Sequence, residues 1–473
     1  MNQPDASALT EPAYALAPEL LLTDQGPRPD HVVAVQDGKI VEVGPLQTYV
    51  ERHPHRRVSR LPGSVIVPGF VDAHIHLAHV FGKSLIGGEP AQIWRRIWGP
   101  IEHGLDVEGC YLSAKWVFLE ALRGGYTTLV NYSANSREKN EAVIAAAEET
   151  GVRLVNSTGI DNKSGPDAGR RVFDTDLGYK EEAIRKLEEH IEHCAAHPRV
   201  YPSLICGSFY AVSPKIIGEL AQYCASRGVV FQMHSNEHFP EVHECILKFG
   251  KRPIELWQEH GVLGPKTLLH HAALTTEREI EYLRSTQTAV SYNPVASQWK
   301  GNAVAPALAY VERGVRLGLG SDSTRTDAFR ALDAAESCQR IAYGMRIIDF
   351  SCGAGWTWVD VATRGSADAC GLGGITGSLK PGLAADFLVL DMVAPEMMPS
   401  WDFEWELVRY YNRDQIQLVV VDGKPIMQAG RPVGWDDRKF IVDNAPRAAK
   451  YVDTAGIQRL HGPSGKHRDL RRD

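Results

Sequence analysis

Between Val65 and Asp322 eight short apolar runs alternate with longer segments of helical periodicity, and few architectures accept that rhythm. The runs are Val65 to Asp72, Thr127 to Asn131, Arg153 to Ser157, Val200 to Cys206, Val229 to His234, Thr267 to His271, Ala289 to Asn293 and Val315 to Asp322. Helical patterns fall between them, among them Tyr111 to Leu122, Glu138 to Glu149, Lys180 to Cys194, Pro214 to Ser226, Thr276 to Arg284 and Ala305 to Val311. Such alternation indicates a parallel α/β arrangement, and eight strand-helix units over this span predict a (β/α)8 TIM barrel.

Outside that span the style changes. Leu20 to Leu22, Val32 to Val35 and Ile40 to Val43 are short β-type runs with an Asp37-Gly38 turn, and Ala385 to Asp391 and Gln417 to Ile426 repeat the style with Asp422-Gly423. Asp-Gly between apolar runs marks a hairpin. A small β-sandwich domain built from both termini, residues 1–64 and 376–435, is expected around a barrel of residues 65–375, with 436–473 as a C-terminal extension. A chain of 473 residues leaves room for one large and one smaller domain.

A formal net charge of -7 argues against nucleic acid or an anionic membrane as partner. The eight cysteines are scattered, with no Cys-x-x-Cys pair, so neither a disulfide framework nor a thiolate zinc site is suggested and a reducing compartment fits best. Met1 to Tyr14 lacks a basic start and an apolar core, and no apolar run approaches membrane-spanning length, so a soluble cytoplasmic protein is expected. Lys466 to Arg472 is locally basic and reads as a solvated tail.

In such a barrel the chemistry belongs at the C-terminal ends of the strands. The first ends in His74 and His76, the fifth in Gln232 to Glu237, the sixth in His270-His271 and the eighth in Gly318 to Ser323. His74 and His76, two apart on a strand, emerge on one face about 7 Å apart along the backbone, near enough to converge on one ion. A lone His at a strand end is more often a hydrogen-bonded structural residue, and a lone Asp there is more often a helix N-cap. Four such ends around one mouth form a candidate metal and catalytic site. Alternation puts only one of His270 and His271 inward, and period alone does not say which.

The ordered set Pro68-Gly69-Phe70-Val71-Asp72-Ala73-His74-Ile75-His76, His234-x-x-Glu237, Leu269-His270, Gly320-Ser321-Asp322 and Gly377 to Asp386 resembles the metal-dependent amidohydrolase superfamily. Within it the pattern is similar to the branch of triazine hydrolases, guanine deaminase and adenosine-derivative deaminases. The resemblance implies one divalent metal per chain, held by His74, His76, His234 and Asp322. It implies Glu237, His270 and Asp322 as catalytic residues, with Asp322 taking a proton from the attacking water and Glu237 passing one to the leaving nitrogen. The family register selects His270 over His271. Three imidazoles and a carboxylate suit Zn²⁺ first, with Fe²⁺, Mn²⁺ or Co²⁺ as alternatives, and leave a position for water. Relatives commonly assemble, so a homo-oligomer is expected.

Departures from the branch bear on substrate. Gly207 stands where its purine deaminases carry a His, Ala273 where they have a second His after His270, Tyr292 in place of the His of His-Asn-Pro, and Asn131 where an Asp often ends the second strand. The aromatic residues Trp94, Trp98, Phe209, Tyr210, Tyr292 and Trp299 are expected near the mouth, with Trp98, Asn131, Tyr210, His271 and Tyr292 as the substrate contacts. These features favour hydrolysis of a C-N bond in an uncharged, xenobiotic-like amide, urea or (thio)carbamate-like small molecule, as in phenylurea and molinate hydrolases. The alternative is an aminohydrolase that releases ammonia from a triazine, pyrimidine or purine ring. A non-catalytic scaffold of the same fold is the reading from another class, disfavoured because every ligand position is kept.

Overall fold

The computed structural model of the chain describes residues 9, 11–89, 93–159, 179–210, 212–345, 348 and 351–460; the basic tail Lys466 to Arg472 lies outside them. Eight strands, Phe70–Ile75, Tyr126–Asn131, Arg153–Gly159, Val200–Ile205, Val230–Ser235, Thr267–His271, Ala289–Tyr292 and Arg316–Leu319, pair in chain order, each parallel to the next. Ile75 forms a parallel bridge with Asp322, whose N–H donates to His74 O at 2.8 Å, and this contact brings the eighth strand back to the first. The result is an α/β barrel with a separate nine-stranded sheet beside it.

Closure depends on small residues where backbones crowd. A Cβ on Gly320 would lie 2.2 Å from Asn293 Oδ1 and 3.0 Å from His74 Cβ, so glycine there lets the eighth strand meet the first and the seventh. Buried Asp72 then joins the same two strands: its carboxylate accepts from Ser321 N at 2.9 Å, Ser321 Oγ at 2.5 Å and His74 N at 3.2 Å. Helices between the strands start where side chains satisfy the free N–H groups, as at Ser213 before Pro214–Ser226 and at Thr276 with Glu279 in a reciprocal capping box.

One expected strand is in fact two. The run Val65 to Asp72 breaks at Gly69: Ser59–Pro68 belongs to the separate sheet and Phe70–Ile75 to the barrel. Pro68 has no N–H to donate, and a Cβ on Gly69 would lie 2.2 Å from Thr127 Oγ1, so the chain changes sheets where only glycine fits against the second barrel strand.

The separate sheet interleaves the two ends of the chain. Its centre is the antiparallel pair Ser59–Pro68 and Phe387–Asp391, flanked on one side by Ala13–Thr23, His31–Gln36 and Lys39–Pro45 and on the other by Ile416–Val421, Lys424–Gln428 and Arg431–Pro432, with Gly26–Pro29 paired to the first of these. Both Asp-Gly hairpin turns form, with left-handed φ at Asp37, Gly38, Asp422 and Gly423. The turn tips touch: a Cβ on Gly38 would lie 2.8 Å from Asp422 O.

Arg153, at the start of the third barrel strand and 1% exposed, ties this sheet to the barrel floor. Its guanidinium donates to both oxygens of buried Asp386, at 2.8 and 3.1 Å, and to Asp422 Oδ1 at 2.5 Å. Arg153→Met is expected to destabilise the chain by about 3–5 kcal/mol, since the Asp386 charge would stay buried without its partner. Urea unfolding followed by circular dichroism checks this.

The extension continues as a helix, Asp437–Thr454, against Val107–Arg123 and Leu77–Ile86. The eight cysteines are buried, and none is in a disulfide among the described residues. Among the described residues no helix is long and apolar enough to cross a membrane.

Candidate metal and catalytic centre

The ends of the first, fifth, sixth and eighth strands deliver one cluster of imidazoles and carboxylates. His74 has its ring centroid 4.8 Å from those of His76 and His234, and His76 and His234 are 5.3 Å apart. Asp322 Oδ1 lies 3.6 Å from His76 Nε2 and 3.9 Å from His74 Nε2. Ligand atoms of His74, His76 and Asp322 lie within 4.8 Å of one another, as do those of His74, His234 and His271 and those of Glu237, His271 and Asp322.

Burial keeps these imidazoles neutral. Desolvation, followed by the neighbouring rings, holds His74 and His270 far below the ordinary histidine range, and desolvation acts in the same direction on His76 and His234. Both ring nitrogens of His74, which is 0% exposed, and Nδ1 of His76 are buried with no hydrogen-bond partner among the described residues. Buried nitrogens are rarely left so, because an unmet polar atom costs about 1–3 kcal/mol. Neutral imidazoles with free lone pairs beside a carboxylate fit a divalent cation.

The sixth strand resolves the His270 and His271 ambiguity in an unexpected way. His271 and Ala272 have left-handed backbone, φ 71° and 42°, so alternation breaks and both rings join the cluster. His270 stacks on His74 at 3.7 Å, with Nδ1 on Ser291 Oγ at 2.9 Å and Nε2 on Gln232 Oε1 at 3.1 Å, so both of its nitrogens are committed to the barrel interior. His271 receives Asn293 Nδ2 on Nδ1 at 3.2 Å and turns Nε2 toward Glu237 Oε1, 3.5 Å, and Asp322 Oδ2, 3.7 Å. Burial pushes His271 down to about 4. Asn236 and Asp322 are also left-handed, so three strand ends carry strained backbone around this one mouth.

Glu237 faces the same space. Its Oε1 accepts from Asn302 Nδ2 at 2.7 Å and Lys300 Nζ at 3.2 Å, with His238 Nε2 at 3.1 Å. Lys300 Nζ also donates to Asp322 Oδ2 at 2.5 Å and lies 5.3 Å over the Trp98 ring. Burial would lower Lys300, but Asp322 and Glu237 more than offset it and keep the ammonium charged. Glu241, one turn on, fixes the Glu237 backbone by accepting from the N–H groups of Asn236 and Glu237 at 3.1 and 2.9 Å, and burial pushes its carboxyl up to about 7.

The expected substrate contacts divide. Trp98 lies at the cluster, stacked on His79 at 5.2 Å. Half-buried Tyr210 packs on Phe209 at a tilt, with ring centroids 4.4 Å apart. Asn131 is fully buried and occupied, donating to Asn156 Oδ1 at 3.1 Å and accepting from Ser133 Oγ and Leu77 N, so it braces strand ends. Tyr292 is 1% exposed; its hydroxyl donates to Ala335 O at 3.2 Å and accepts from Gln339 at 3.0 Å, among core residues. Phe209, at 0% exposed, is likewise core. Trp94 and Trp299 are 43% and 44% exposed.

Sequence reasoning did not single out Tyr132, Lys300, Asn302 and His79. Tyr132 follows the second strand directly and sets its ring 4.4 Å from His234 and 5.4 Å from His76. Its place one residue past a strand end was the available signal. Lys300 and Asn302 reach in from the segment after the seventh strand, where strand periodicity carries no information.

Residues 65–426 match the amidohydrolase family. The chain is 28% identical over 410 residues to a 5-methylthioadenosine/S-adenosylhomocysteine deaminase of Nitratidesulfovibrio vulgaris, covering 86% of this chain and 90% of that protein. It is 26% identical over 457 residues to a 5'-deoxyadenosine deaminase of Methanosarcina mazei, covering 94% and 98%. Among solved structures, an adenosine deaminase from Xanthomonas campestris with bound zinc superposes with a TM-score of 0.82 at 21% identity, covering 93% of this chain and 98% of that one. Atrazine chlorohydrolase from Arthrobacter aurescens TC1 complexed with zinc gives 0.78 at 20% identity, covering 93% and 100%.

Proposed function

Because the chain belongs to the amidohydrolase family, we propose that it is a hydrolase with one divalent ion, zinc first, held by His74, His76, His234 and Asp322, which releases ammonia from a heteroaromatic amine lacking a ribose. The observation that carries the metal reading is His74, fully buried with both ring nitrogens unmet beside two more imidazoles and a carboxylate. A divalent ion supplies acidified water at neutral pH. Asp322 takes a proton from the attacking water, and Glu237 passes one to the departing nitrogen. His271, with Nε2 turned to Glu237 and Asp322, takes the substrate-side role that the family register gave His270, whose nitrogens already serve Ser291 and Gln232.

The leaving group is read from two sources. The relatives that match over most of the chain are named as deaminases of adenosine derivatives, which supports ammonia release. Gly207 and Ala273, where the branch carries histidines, argue against a ribosylated base. The amide, urea or carbamate reading is second: half-buried Tyr210 supports it, but Trp98, Tyr292 and Phe209, which also argued for it, are buried. A cytoplasmic homo-oligomer is part of the proposal, supported by eight buried cysteines outside any disulfide and by exposed Trp401, Ile341 and Met345, at 89%, 72% and 72%.

The zinc-loaded protein should be assayed with free purines, pyrimidines, triazines and aryl ureas for ammonia and for amine. Ammonia from a free heteroaromatic amine is the expected result. Amine without ammonia, from a urea or carbamate, would transfer the assignment to the second reading, and zinc uptake with no product from any class would favour the scaffold.

A further inference from the structure

A third histidine follows the first pair. His79, 1% exposed, lies flat against His76 with ring centroids 4.6 Å apart and planes 16° from parallel. Its outer face stacks on Trp98 at 5.2 Å and 7°. Its Nδ1 is 2.6 Å from Ser323 Oγ, and its Nε2 is 3.3 Å from Glu102 Oε2.

Ser323 stands between His79 and Asp322. Its N–H donates to Asp322 Oδ1 at 2.6 Å, and its Oγ lies 3.1 Å from the same oxygen. His79 Nδ1 meets the same hydroxyl at 2.6 Å, so Ser323 Oγ links the His79 ring to the Asp322 carboxylate whichever of the two takes its one hydrogen. Oδ1 is the Asp322 oxygen facing His74 and His76, while Oδ2 is held by Lys300. His79 therefore touches two members of the cluster at once: it supports the His76 ring by stacking and orients the Asp322 oxygen through Ser323.

The far side of this stack is anchored by the C-terminal extension. Trp98 packs with Ile86, Ile93, Ile97 and Ile101, and Ala455 and Ile457 pack against that group. Gln458 N donates to Arg96 O at 2.9 Å, and Arg96 donates to Gln458 O at 3.0 Å. A continuous series of contacts thus runs from the extension through Trp98 and His79 to His76.

We propose that His79 is a positioning residue of the metal centre, which through Ser323 and by stacking on His76 fixes two of the four ligand side chains before an ion arrives. This rests on the metal site proposed above. Groups that orient ligands are typically worth about 10–100-fold in metal affinity.

Zinc affinity measured by competition with a chromogenic chelator tests it without recourse to turnover. His79→Phe keeps a flat ring between His76 and Trp98 but has no N–H, and is expected to weaken zinc binding about 10–100-fold. Ser323→Ala leaves the ring in place and removes the hydroxyl relay; it is the smaller change and covers the case in which the first variant fails to fold. A loss of the same order is expected for it, and the double variant should lose less than the two single losses combined, because both act on one path. Wild-type affinity in either folded variant, or losses that sum in the double variant, would overturn the proposal. Wild-type protein that takes up no zinc would overturn the metal site itself and this inference with it.

Discussion

His76→Ala is expected to reduce zinc content and turnover to background together. His76 brings its ring to 4.8 Å from His74 and its Nε2 to 3.6 Å from Asp322 Oδ1, so its removal opens one side of the proposed four-ligand set. The vacated position passes to solvent, and an ion held by one protein ligand fewer is bound more weakly. A second readout does not depend on finding the substrate. An ion that binds only the folded chain stabilises it by about 4 kcal/mol when present at a thousand times its dissociation constant, so added zinc should raise the wild-type melting temperature. His76→Ala should melt at the same temperature with or without zinc. Metal analysis after dialysis, run beside both melts, separates loss of the ion from loss of fold. Full turnover by zinc-free protein would refute the site as drawn.

The contrast between legible and illegible residues follows from where each side chain is attached. His74, His76, His234 and Asp322 sit at strand ends, and the barrel rule places all strand ends around one mouth, so their meeting could be anticipated from order along the chain. The change of sheet at Gly69 was hidden because the apolar run continues through it; its cause is a tertiary contact, Thr127 against the Gly69 backbone. His270 and His271 could not be ranked by period because left-handed backbone at His271 sets period aside. Lys300 ends the short helix Pro294–Lys300 and Asn302 lies two residues past it, where strand period says nothing, and their placement depends on the carboxylates they meet. Tyr292 illustrates the opposite error: an aromatic near a strand end looked like pocket lining, yet its hydroxyl is satisfied inside the core.

Glu237→Gln is expected to keep one zinc per chain and lose about 10²–10⁴ of turnover, the range for removing a positioned proton carrier. The geometry explains why the two effects should separate. The contacts of Glu237 converge on Oε1, from Asn302, Lys300, His238 and His271, and none of the described hydrogen bonds falls on Oε2. A glutamine amide keeps a carbonyl oxygen for the Asn302 and Lys300 donors, so the side chain stays in place; what changes is the second position, where an NH₂ replaces an oxygen able to carry a proton. Lys300 also retains its 2.5 Å contact with Asp322, so the variant leaves the proposed ligand set alone. If Glu237 instead served only to neutralise Lys300, the amide would disturb Lys300 but leave the rate near normal, and single-turnover measurement with the zinc-loaded variant decides between the two. A rate within a few-fold of wild type would make Glu237 structural and leave Asp322 and His271 as the groups at the mouth with oxygen or nitrogen positioned to move the proton.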